Sequence, residues 1–128
     1  MRPCFSCTSI LQKVQVPKWA QRHIIKKHYP KRKHGRQSMF NRSMPPQSLF
    51  SKVSELLRSG LKISEEQCPR FLYYYTFASK VGVFPNRRGG FSATKTVKIV
   101  CNTTICEKCG RRWPSEVVTI YPCKKPFV

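Results

Sequence analysis

The hydrophobic period of this chain changes from 3.6 to 2 after Gly60, and that change constrains the fold more than any other feature of the sequence. Before it, Leu49, Phe50, Val53, Leu56 and Leu57 recur at i, i+1, i+4, i+7 and i+8, with Pro45-Pro46 ahead and Gly60 just past the end. That pattern predicts an amphipathic helix over residues 46–59. A shorter helix is predicted over 18–28, where Pro17 suits a first turn and Trp19, Ala20, Ile24 and Ile25 fall at near-helical spacing. After Gly60, residues 71–77 (FLYYYTF), 91–101 (ending TVKIVC) and 116–121 (EVVTIY) are strand-like and bounded by Gly, Pro or Asn clusters. Helices first and strands afterwards predict an α+β domain, with N-terminal helices packed on a twisted four-stranded antiparallel sheet. Segments 86–90 (NRRGG) and 102–115 read as hairpin connections, and 29–47 as a loop without a period. A chain of 128 residues has room for one core, so 1–16 reads as a lead segment and 17–128 as a single domain.

Charge decides what such a domain meets. Lys and Arg number 25 against five acids, a formal net charge of +20. The five acids are all Glu (Glu55, Glu65, Glu66, Glu107 and Glu116), with no Asp anywhere. A surface of that sign accumulates polyanions, because each neutralised phosphate releases condensed counterions. RNA, DNA, an anionic membrane or an acidic protein are the expected partners. Missing Asp also weakens the case for two-metal nucleases and carboxylate-pair hydrolases, which cluster acids to hold cations or shuttle protons. Catalysis, if present, is expected to rest on His, Lys, Arg, Ser, Thr or Tyr. No run reaches the roughly 18 apolar residues of a membrane span. The opening segment lacks the charged-then-apolar order of a signal peptide; the chain reads as soluble and without its own export signal, or as a fragment of something longer.

All three histidines fall in one string, RHIIKKHYPKRKHGRQSMF, as His23, His28 and His34. Imidazole titrates nearest neutrality, so closely spaced histidines among cations can supply a general base and acid for attack on a phosphodiester. RNA carries its own nucleophile, the 2′-hydroxyl, so cleavage to a cyclic phosphate needs a base, an acid and cations that stabilise the phosphorane. The alternative is that these histidines only add charge and hydrogen bonds. In the last strand, alternation puts Val117, Thr119 and Tyr121 on one face and Val118 and Ile120 on the other, which presents Thr119 and Tyr121 together.

Three short segments, His23-Ile24-Ile25-Lys26-Lys27-His28, Gly35-Arg36-Gln37-Ser38-Met39-Phe40 and Thr119-Ile120-Tyr121-Pro122, occur in that order around a helix and a Gly-Gly hairpin. Together they resemble the C-terminal ribonuclease toxin domains of the barnase/EndoU/colicin/RelE group, found in contact-dependent inhibition proteins, other polymorphic toxins and tRNA-cleaving colicins. The resemblance spans about residues 19–123. It implies a metal-independent ribonuclease, often acting on tRNA, whose concave sheet face binds RNA. It implies His23 and His28 as acid and base, Lys26 or Lys27 as phosphate stabiliser, Ser38 as a positioning hydroxyl, and Thr119 and Tyr121 beside the scissile phosphate. It further implies an acidic immunity protein as inhibitor and action in the cytoplasm of a target bacterium, after delivery as the end of a larger secreted protein. The basic segment Lys31, Arg32, Lys33, His34 and Arg36, with Lys26 and the hairpin cations Arg87 and Arg88, is expected to contact RNA. Two features depart from the group: that unusually basic loop, and a Cys-containing insertion in the final hairpin.

Seven cysteines lie at 4, 7, 68, 101, 106, 109 and 123. Cys4, Cys7 and Cys106, Cys109 form two C-x2-C pairs, which arithmetically allow a structural Cys4 zinc site, although 98 residues separate the pairs. A closer set is Cys101, Cys106, Cys109 and Cys123 on the last hairpin. Disulfides and free thiols stay open beside zinc; a metal held there would be structural, because four thiolates leave no position for a water nucleophile, and no cofactor is expected for catalysis, since RNA supplies its own nucleophile. A different class of function is consistent with the same residues: a non-enzymatic, zinc-containing basic protein that binds nucleic acid, with a basic ribosome-associated or structural protein as a third reading.

Overall fold

The computed structural model describes residues 14–29, 37–64 and 70–126. It is α+β, with three short helices and two antiparallel sheets among the described residues. Helix α1 (Lys18–His28) follows an extended Pro17 and carries Lys26, Lys27 and His28 in its last turn, where cations favour the negative end of the helix dipole. Ala20, Ile24 and His28 form its buried side. Strand β1 (Met39–Phe40) comes next, inside the segment read as a loop.

The helix expected over 46–59 is two helices, α2 (Pro46–Ser51) and α3 (Val53–Ser59). The joint is Lys52, at φ −95° and ψ −1°. Its N–H reaches back three residues to the Leu49 carbonyl at 3.2 Å, a tightened turn that separates the two helices. Both pieces keep their apolar face inward, with Leu49, Val53, Leu56 and Leu57 buried.

Strand β2 (Leu61–Ser64) pairs with β3 (Arg70–Thr76), β3 with β6 (Thr96–Ile105), and β6 with β7 (Arg112–Pro122). A separate sheet joins β1, β4 (Gly82–Pro85) and β5 (Phe91–Thr94). One sheet was expected; the strands divide because the 91–101 run breaks at Lys95, with β5 going to the smaller sheet and β6 to the larger. The sheets meet where Thr94 Oγ1 donates to the Cys123 carbonyl at 2.7 Å. Gly82 lies at the same seam: a Cβ there would overlap the Met39 carbonyl oxygen and the Pro122 ring. The 86–90 hairpin is as expected, with Asn86 Oδ1 accepting from the Arg88 and Gly90 N–H groups. The other connection is shorter than 102–115, since β6 and β7 pair out to Ile105 and Arg112.

Strand β7 also corrects the predicted facing. Val117 pairs with Cys101 and Thr119 with Val100, so Val118 has no opposite residue and forms a bulge. The bulge shifts the alternation by one residue. Val117 therefore joins Ile120 in the core, both fully buried, while Thr119 and Tyr121 take the opposite face. On the core side, Val97, Ile99, Cys101, Val117 and Ile120 pack with Ile24, Leu49 and Val53 in one cluster.

Candidate functional site

Helix α1 lies against β7, and His28 at its last turn meets Tyr121 of that strand. Ile24 anchors the helix from one turn earlier. His28 stacks on Tyr121, ring centroids 5.3 Å apart and planes 24° from parallel. His28 Nδ1 lies 2.7 Å from the Ser38 carbonyl oxygen. A carbonyl can only accept, so Nδ1 carries the proton in the neutral ring and Nε2 keeps its lone pair. Burial holds the His28 pKa below its ordinary 6.5; the Ser38 hydrogen bond opposes that shift, and the charges of His23 and Lys27 add to it. The ring is thus neutral at pH 7.

Ser38 is held in place by its neighbours. Tyr29 stacks on Phe40 with centroids 4.8 Å apart and donates to the Met44 carbonyl at 2.7 Å. These contacts fasten the segment entering β1 to the end of α1. His23, Lys27, His28, Gln37, Ser38, Thr119 and Tyr121 line a single open cavity of about 330 Å³, within the range of small-ligand sites. Of the residues expected to act in catalysis, His23, Lys27, His28, Ser38, Thr119 and Tyr121 therefore meet in one place, from a helix, a loop and a strand, whereas Lys26, the alternative to Lys27, does not line it.

Two details define the cavity's chemistry. Thr119 Oγ1 is buried and has no hydrogen-bond partner among the described residues, and a buried hydroxyl left unpaired is costly. Beside Tyr121, the Lys98 ammonium lies 5.9 Å from the ring centroids of both Tyr121 and Tyr74. Burial alone lowers the Lys98 pKa, but the two phenols outweigh it and leave the group above its ordinary value, hence cationic. Lys98 was not among the expected site residues. Its signal was present, a lone cation alternating with buried Val97 and Ile99, but only strand register reveals what it faces. Gln37 was quoted in a motif without a role.

Other expected residues lie elsewhere. Lys26 is exposed on α1, and Arg87 and Arg88 sit at the tip of the β4–β5 hairpin; none of the three lines the cavity. Lys31, Arg32, Lys33, His34 and Arg36 fall outside the described residues, as do Cys4, Cys7 and Cys68. Among the described residues no cluster of three or more metal-ligating side chains forms. The hairpin set is separated by its own strands: Cys123 bonds the Thr96 carbonyl, five residues along β6 from Cys101, which in turn is five from Cys106. At about 3.4 Å per residue those sites cannot share one ion. Burial raises the Cys101 thiol to about 12, and burial, partly offset by Lys98, raises Cys123 to about 11, so both thiols are protonated at pH 7.

Comparison of the chain with family models, with curated proteins and with solved structures finds no match.

Proposed function

We propose that the chain is a metal-independent endoribonuclease that cleaves RNA by attack of the 2′-hydroxyl, leaving a 2′,3′-cyclic phosphate and a 5′-hydroxyl. The observation that carries the reading is the His28 arrangement: a neutral imidazole, its tautomer fixed by the Ser38 carbonyl, on the wall of a cavity that also holds a second histidine and a lysine. His28 Nε2 takes the 2′-hydroxyl proton as the oxygen attacks phosphorus. His23, exposed on the same helix, donates a proton to the departing 5′-oxygen. Such acid–base help supplies about 10²–10⁴-fold. Lys27 and the unpaired Thr119 hydroxyl fit the non-bridging oxygens, where negative charge grows in the transition state. Ser38 acts through its backbone carbonyl, with its hydroxyl at the cavity wall, and Tyr121 supports the imidazole from below.

The net charge of +20 supports an RNA substrate and an acidic protein as inhibitor. We extend the reading to tRNA as substrate and to a toxin acting in the cytoplasm of a target bacterium, on the strength of the sequence resemblance. No helix among the described residues is long and apolar enough to cross a membrane.

The test is incubation of purified protein with total bacterial RNA in excess EDTA, beside the His28→Ala variant. Discrete fragments with cyclic phosphate ends from the wild type alone are expected. Intact RNA that both proteins shift equally in a gel would replace the reading with a non-enzymatic nucleic-acid-binding protein.

A further inference from the structure

Tyr121 lines the cavity, and the face of the sheet that carries it runs on to β6 and β3. The register places Lys98 opposite Tyr121 and Tyr74 opposite Lys98, and residues directly paired between antiparallel strands share a face. His28, Tyr121, Lys98 and Tyr74 therefore form one row, from α1 across β7 and β6 to β3. The three strand residues are each only partly buried, on the side away from the core that holds Tyr73, Ile99 and Ile120. Lys98 Nζ stands between the two phenols, 5.9 Å from each centroid. At usual strand spacing Tyr74 lies about 10 Å from Tyr121.

We infer that Tyr74 and Lys98 form a subsite for the unpaired nucleotide beside the scissile phosphate, the Tyr74 ring carrying its base and the Lys98 ammonium its phosphate. The inference rests on the ribonuclease reading, and it specifies the substrate as single-stranded or looped RNA. A base must leave its stack to lie on a tyrosine, which a duplex resists. The cation set between two aromatic rings, one of them the Tyr121 ring of the His28 cavity, in a chain of +20, matches that ligand in charge and in stacking surface.

Binding is measured in His28→Ala protein, in EDTA, by fluorescence anisotropy with a labelled oligouridine and with a duplex RNA of equal length. Tyr74→Ala is expected to weaken oligouridine binding about tenfold without changing its salt dependence, and Tyr74→Phe to keep it. Lys98→Met is expected to weaken it and to flatten the slope of log K against log salt by about 0.7, with Lys98→Arg restoring the slope. Duplex binding should change by less than about twofold in Tyr74→Ala, since stacking on Tyr74 is closed to paired bases. Unchanged oligouridine affinity in both Tyr74→Ala and Lys98→Met, or equal losses for duplex and single strand in Tyr74→Ala, would overturn the subsite. Wild-type protein that binds oligouridine through this row yet leaves RNA intact would overturn the ribonuclease reading and keep the subsite.

Discussion

The His28 imidazole lies on the Tyr121 ring at 5.3 Å, and this stack is where α1 meets β7 at the proposed site. It orients the imidazole from one side while the Ser38 carbonyl holds Nδ1 from another. Replacing Tyr121 with Leu keeps apolar bulk and removes the flat surface. Cleavage is expected to fall by about 10-fold or more, a loss consistent with misplacing a catalytic base, with oligonucleotide affinity reduced less. Steady-state kinetics that separate kcat from KM check this.

A lowered His28 pKa has a definite sign in stability. The unfolded chain binds the proton near 6.5 and the folded chain only at lower pH, so protonation favours unfolding. The stability held above pH 6.5 is lost as pH falls through the folded value. The melting temperature is expected to fall below pH 6.5 more steeply in the wild type than in His28→Gln. Activity should show an acid limb whose apparent pKa lies below 6.5 in kcat/KM, because the free enzyme's base must be neutral.

Thr119 carries a buried hydroxyl with no partner among the described residues, which predicts opposite effects on stability and function. Thr119→Val preserves shape and β-propensity and removes the unpaired group. Stability is expected to rise by about 1 kcal/mol, read from urea denaturation, while cleavage falls by about 10²-fold if the hydroxyl serves the phosphorane.

Ile24 is fully buried one turn before His28. Ile24→Ala is expected to cost about 2–5 kcal/mol and, in what remains folded, to loosen the end of α1. Denaturant unfolding gives the first quantity, and quenching of cleavage beyond the loss of folded protein gives the second.

Thiol reactivity should follow burial. Cys109 is exposed on the β6–β7 turn, whereas Cys101 is fully buried with its thiol raised to about 12. Brief iodoacetamide treatment of native protein followed by peptide mass mapping is expected to mark Cys109 and spare Cys101 until denaturant is added.

Several parts of this molecule were readable before any fold was known. The period of 3.6 around Leu49 and Leu57, and of 2 around Val97 and Ile99, is local backbone geometry written into side-chain order, so it survives without tertiary context. His23, Lys27 and His28 sit within two turns of one helix for the same reason. The break at Lys52 was hidden because nothing in its residue type ends a helix. The division of residues 91–101 between two sheets was hidden because an alternating run does not say which neighbour it pairs with.

Local sequence thus determined which side chains stand near one another along a single element, because that follows from rise and twist alone. Only the tertiary structure decided what crosses between elements. Pairing of β6 with β7 placed Lys98 against Tyr121, and the bulge at Val118 turned Val117 inward while leaving Thr119 toward the cavity. The docking of α1 laid His28 on Tyr121. Register and docking are set by how many apolar groups the whole chain can bury at once, a sum over distant residues that no local pattern contains.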